Sequence, residues 1–196
     1  MDFFIFPRKI YKVDFFFNLM RCVVNKRGQV WVETVIYTLI GLTIIGLVLA
    51  VALPKINEKK DEVMIDQAIQ ALGTIDDNIY WVQRAPGNRY PVDLDIGRGR
   101  LIVDVDENSI SWVLDSSFEY SQAGIDVRYI GNMIVSTKEA NPWEVTLKIN
   151  YAEDIQFEGV IDGTKELDSA PTPYKLMIEN AGKNEDGNLI IRLSVS

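Results

Sequence analysis

Between Val30 and Leu53 the chain runs for 24 residues with one charged side chain, Glu33. As a helix rising about 1.5 Å per residue, that run is roughly 36 Å long, more than the hydrocarbon core of a bilayer at about 30 Å. A helix apolar on every side needs lipid or other helices around it. Its Val, Ile and Leu are interspersed with Gly41, Gly46 and scattered threonines, and small residues let membrane helices approach closely. The rest of the chain has to be organised around this segment.

Glu33 is the exception that carries information. A carboxylate one turn into an apolar segment costs about 2.5–3.5 kcal/mol on insertion scales, so it sits within reach of water or has a partner. Just upstream lie a basic pair and a glycine, Lys26-Arg27-Gly28, followed by Gln29, and Glu33 is the fifth residue after that glycine. A basic pair, glycine, a carboxylate at this spacing and a long apolar helix resemble the class III signal peptide of type IV prepilins, archaeal ones in particular. The resemblance covers residues 20–60. It implies cleavage by a membrane-embedded prepilin peptidase between Gly28 and Gln29, making Gln29 the mature N-terminus and Glu33 the fifth mature residue. Two positions depart from the pattern. Trp31 stands where archaeal members often carry serine, and Gln29 stands where bacterial pilins usually begin with an aromatic residue.

Charge divides at the same point. Of 20 basic and 28 acidic residues, six and two fall in residues 1–28, which leaves 14 and 26 beyond and a net charge of −12 there. Such acidity repels phosphates and excludes nucleic acid as a partner. The only cysteine, Cys22, lies in the leader, so the chain after Gly28 can form neither a disulfide nor a thiolate metal site. The chain has no histidine, which removes the commonest general base and metal ligand.

Residues 1–28 mix aromatic runs (Phe3 to Phe6, Phe15 to Phe17) with basic residues, and neither run is long enough to span a membrane. The cluster from Arg21 to Arg27 precedes the apolar run without a small-residue cleavage site after it, so a conventional secretory signal does not fit. The basic cluster instead predicts a cytoplasmic N-terminus with the chain after Leu53 outside. Translation from Met20 would give a compact basic leader and make residues 1–19 an over-extended frame; the sequence leaves both Met1 and Met20 open as the start.

Pro54 predicts a kink in the helix rather than its end. Asn57 to Glu62 reads as a polar turn at the outer surface, after which Ile65, Ile69, Leu72, Ile75, Ile79 and Val82 recur at the spacing of one helix face. Ala85-Pro86-Gly87-Asn88 ends the pattern. The two halves predict one helix of about 55 residues, on the order of 80 Å. From Arg98 the period becomes two: Leu101, Val103 and Val105; Ile110, Trp112 and Leu114; Ile125, Val127 and Tyr129; Met133 to Val135; Val145, Leu147, Ile149 and Tyr151; Tyr174 to Glu179; Leu189 to Val195. Turns are marked by Asp106-Glu107-Asn108, Gly131-Asn132, Asp162-Gly163 and Asn184 to Gly187. Seven or eight short strands without a helix among them predict a β-sandwich-like head, an α+β fold overall. The expected divisions are a cleaved leader (1–28), an apolar membrane or filament-core helix (29–53), an amphipathic continuation (54–84), a linker (85–97) and the β head (98–196).

The head offers no catalytic constellation. Asp104, Asp106, Asn108 and Asp115 echo a calcium loop but carry Ser109 where glycine is required, and a solvated hairpin turn is the better reading. Asp76 and Asp77 are neighbours on a helix and point apart. Gly97-Arg98-Gly99-Arg100 lacks the setting of a phosphate loop, and its arginines read as solvated edge charges. Trp112 reads as core. No enzyme, cofactor or metal is expected.

The resemblance implies a structural subunit: a prepilin held in the membrane by one span, cleaved after Gly28 and polymerised with copies of itself into an extracellular type IV pilus-like filament that serves surface adhesion. Its implied partners are the prepilin peptidase, an assembly ATPase, a membrane platform protein and, before assembly, the lipid bilayer. Gln29 and Glu33 are the implied assembly residues, the carboxylate pairing with an N-terminal amine. Alternatives on the same plan are an archaellin, the motility-filament subunit; a minor pilin or membrane-anchored surface protein whose β-domain grips a ligand; and a plain single-span membrane protein.

Overall fold

A computed structural model describes residues 26–160 and 162–195. One helix, α1 (Lys26–Val82), runs through Pro54. Ten strands follow: β1 (Arg89–Leu94), β2 (Arg100–Asp104), β3 (Ser109–Ser116), β4 (Val127–Arg128), β5 (Met133–Lys138), β6 (Trp143–Asn150), β7 (Asp154–Phe157), β8 (Thr164–Asp168), β9 (Tyr174–Lys183) and β10 (Leu189–Val195). The fold is α+β. By internal contacts the chain divides between Ala52 and Leu53 into an N-terminal unit and a C-terminal unit that holds the rest of α1 and all the strands.

The strands form two sheets, β1-β9-β10-β7 and β4-β5-β6-β3-β2-β8. All neighbours are antiparallel except β10 and β7. Alternation sorts each strand into a buried and an open face. In the larger sheet Leu101 and Val103, Ile110 to Leu114, Met133 to Thr137 and Val145 to Ile149 bury every second residue. In the smaller sheet Leu176 and Ile178, Ile191 and Leu193, and Ile155 and Phe157 do the same. These side chains form one cluster with Ile65, Ala68, Leu72, Ile75, Ile79 and Val82 of α1. Each such burial contributes about 1.5–3 kcal/mol relative to exposure, so the stripe is what ties the helix to the sheets.

Several sequence expectations change. The helical stripe is centred on Ala68, with Ile69 only partly buried beside it, because spacings of 3 and 4 must alternate to hold one face. Asn57 to Glu62 lies within the continuous helix expected of the two halves, and the exposed pairs Lys55–Glu58 and Lys59–Glu62 bridge it at i,i+3. Residues 85–97 are no linker: they contain β1, and Val92, Leu94 and Ile96 are buried. Pro91 is tolerated there because β1 is an edge strand, where a missing N–H need not break a ladder bond. Ile125, Val127 and Tyr129 do not face inward; all three are exposed and the strand shrinks to Val127–Arg128. Two short strands, β7 and β8, join the sheets where the alternation of residues 150–170 gave no signal.

The end of α1 is held by one residue of β9. Asn180, buried, donates from Nδ2 to the carbonyl of Val82 at 3.0 Å, while its backbone N–H reaches the Asn88 carbonyl at 3.0 Å and its own carbonyl accepts from Gly87 at 2.9 Å. This satisfies a terminal helix carbonyl that would otherwise be buried without a donor.

Gly99 opens β2 with φ +80°, and a Cβ there would collide with the Val113 carbonyl and the Leu114 side chain. Gly99→Ala therefore combines backbone strain with a steric clash and should destabilise the head by about 2 kcal/mol or more. A thermal unfolding midpoint equal to wild type would contradict this packing.

Candidate functional site: the marked start of the apolar helix

The apolar half of α1 contains an 18-residue window of mean hydropathy 2.5, none of it buried by the rest of the protein. It is long and apolar enough to cross a membrane. Trp31, Tyr37, Leu42, Leu47 and Val51 are each at least 65% exposed, so no side of the cylinder is covered. The hydroxyls it carries are satisfied internally: Thr34 donates to the Val30 carbonyl at 2.9 Å, Thr38 to that of Thr34 at 2.9 Å and Thr43 to that of Leu39 at 2.8 Å. A threonine closed onto its own helix in this way brings no unsatisfied polar group into an apolar setting.

Glu33 is different. It is exposed and makes no ion pair or side-chain hydrogen bond among the described residues. Lys26, Arg27, Gly28 and Gln29 lie in the same helix, on its backbone, two turns or less before Glu33. A peptidase acting at the Gly28–Gln29 bond has to open the helix there, and Gly28 is the poorest helix former of that stretch, about 1 kcal/mol worse than alanine. Met20, Arg21 and Cys22 lie outside the described residues.

Past Pro54, the helix meets the head at a charge that the sequence reading placed at the outer surface. Asp61 is 3% exposed. One carboxylate oxygen accepts from the Arg98 guanidinium and the other from the backbone N–H of Ser117 at 2.7 Å. Arg98 is thus anchored to α1 instead of standing free at an edge, and β2 has β8 as a further neighbour. The Arg98 carbonyl in turn accepts the Trp112 indole N–H at 3.1 Å. Asp61 lies four residues before Ile65 on the buried stripe, a signal available in the sequence: a carboxylate in register with an apolar face needs a buried partner. Burial pushes its pKa up, but the Ser117 and Arg98 donors outweigh burial and hold it below the ordinary carboxylate value.

The residues that echoed a calcium loop are used by the fold. Asp104 accepts the Glu107 N–H at 2.9 Å, Asp106 that of Gly163 at 3.2 Å and Asn108 that of Ile155 at 2.8 Å. Among the described residues no group of three or more His, Cys, Asp or Glu is arranged to hold a metal ion. Asp76 is half-buried; burial raises its pKa, opposed by the Tyr151 hydroxyl, and Asp77 and Glu153 add like charge. Comparison with protein-family models, curated proteins and solved structures returns no match, so function has to be argued from the chain itself.

Asp61→Asn removes the charge that Arg98 and Ser117 recognise and should cost the head about 1–3 kcal/mol. Because the folded pKa is lowered, the wild-type contribution is complete above the ordinary carboxylate value of 3.8 and is lost as pH falls below it towards the folded value. Melts from about pH 7 down to about pH 2 should show wild type and Asp61→Asn converging at the acid end. A gap that stays constant over that range would contradict the ion pair.

Proposed function

We propose that this chain is a type IV prepilin-like subunit: a membrane-held precursor, cleaved after Gly28 and polymerised through the apolar half of α1 into an extracellular filament. The observation that carries the proposal is the pairing of an apolar helix that no other described residue covers with a carboxylate five residues after Gly28 that has no partner among the described residues. A simple membrane anchor has no need of Glu33 at that depth, where it costs about 2.5–3.5 kcal/mol.

Each step has a physical reason. Before cleavage, lipid surrounds the apolar half and the basic residues up to Arg27 hold the N-terminus on the cytoplasmic side. Hydrolysis of the Gly28–Gln29 bond adds one water, leaves a carboxylate on Gly28 and frees an α-amine on Gln29. That cut removes the basic anchor. The new amine, placed beside Glu33 of the same or a neighbouring helix, offsets the cost of carrying a carboxylate into an apolar assembly. The apolar helices then exchange lipid for one another, with Gly41 and Gly46 permitting close approach. A prepilin peptidase, an assembly ATPase and a membrane platform protein are the partners this scheme requires. The archaellin and minor-pilin readings share these steps and differ in where the filament is used.

Cys22 supplies the test, since it is the only cysteine and lies before the cut. Wild-type protein should react with a maleimide-polyethylene glycol while unprocessed and lose that thiol on maturation. Gly28→Leu should keep the thiol permanently. Glu33→Gln should lose the thiol yet remain in the membrane fraction, absent from material sheared off the cell surface. A wild-type chain that always keeps its thiol would show that processing does not occur, and a Glu33→Gln chain that assembles normally would remove Glu33 from the scheme.

A further inference from the structure

The head carries a polar groove that the filament reading does not use. It opens where the last turns of α1 meet the ends of the larger sheet. α1 contributes Asp76, Asp77 and Gln83, the β4–β5 turn contributes Asn132, and the chain from the end of β6 to β7 contributes Asn150 and Glu153. Three amide side chains elsewhere in the head, Asn108, Asn180 and Asn184, bind backbone or side-chain partners. Apart from Asp76, beside the Tyr151 hydroxyl, none of the six groove side chains makes a hydrogen bond among the described residues.

Two tyrosines complete the site. Tyr80, 60% exposed, lines the groove, steadied edge-on against Trp81 at 5.8 Å between centroids and with the Arg84 guanidinium 5.5 Å from its own ring centroid. Trp81 is itself capped by the Arg84 guanidinium at 3.8 Å. The Tyr151 hydroxyl, buried and also lining the groove, lies beside the Asp76 carboxylate without closing a well-formed hydrogen bond among the described residues. A buried hydroxyl whose neighbour is imperfectly placed costs free energy that a ligand can recover.

We propose that this groove binds an uncharged saccharide. Carboxylates, amides and a hydroxyl converging from three segments supply acceptors and donors together, the mixture that neighbouring sugar hydroxyls require. The Tyr80 ring offers the apolar face on which the C–H face of a pyranose can lie, with its hydroxyl still in water. Three carboxylates in the lining, against one nearby guanidinium, Arg84 at the Tyr80 ring, disfavour uronic and other acidic sugars. The site is built from the C-terminal unit alone, so it stands whether or not the chain polymerises.

The test is fluorescence titration of the full chain, in a detergent without sugar headgroups, with cellohexaose, mannohexaose and chitohexaose. At least one should bind saturably below about 10 mM. Tyr80→Ala and Asn150→Ala should each weaken that binding about tenfold or more without shifting the melting midpoint, and Tyr80→Trp should retain it. A galacturonic acid hexamer should bind at least about tenfold more weakly than the best neutral sugar. No saturable binding by any of the three neutral sugars would overturn the proposal. So would binding untouched by Tyr80→Ala, or a trilysine peptide displacing the sugar at equal concentration, which would mark an acidic docking groove instead. Processing at Gly28 is read by the thiol assay and stays intact in every one of these outcomes.

Discussion

An apolar cylinder that no other described residue covers governs this protein. From Val30 to Leu53 the helix exposes nearly every large side chain, and water is not a tolerable neighbour for that surface. Lipid can take water's place, and so can copies of the same helix, because both are equally apolar. Exchange between the two costs little in hydrophobic terms, leaving packing of small residues and the placement of one charge to decide which is preferred. Glu33 is that charge, and its value depends on what stands beside it.

The second half of α1 meets a different demand. Here a single stripe is apolar, and the two sheets close over it to make one core. Polar groups fix the two ends of that contact. Asp61 receives Arg98 and the Ser117 N–H where the head first meets the helix, and Asn180 takes the Val82 carbonyl where the helix stops. Apolar burial supplies most of the stabilisation, while these buried polar contacts, which tolerate little displacement, set the register of the head along the helix.

Much of this was legible in the sequence because periodicity changes sharply along it. An unbroken apolar run, then a period of 3.6, then a period of two gave the three main regions, and Trp112 and the β5–β6 and β9–β10 strands lie where alternation put them. What escaped notice lacked a period. β1 hid behind Pro91, which reads as a breaker until the strand is known to be an edge. The alternation at Ile125, Val127 and Tyr129 was real, yet that face has no layer above it. Asp61 sits in a run of polar residues that masks it, although its place four residues before Ile65 marks it for burial. The groove could not be read from sequence at all, since Gln83, Asn132 and Asn150 meet only through the tertiary fold. At the start of the helix the residues from Lys26 to Glu33 are described as continuous helix, and what they do there follows from chemistry rather than from contacts.

The measurement that bears most directly on all of this is the N-terminal mass of the protein recovered from material sheared off the cell surface. On the proposed filament scheme a chain beginning at Gln29 is the expected result, because in that scheme removal of the basic leader frees the helix to leave the membrane and gives Glu33 an amine to meet. A chain that still carries Lys26-Arg27-Gly28, or one recovered solely from the membrane, would contradict the filament reading and leave a single-span surface protein in its place.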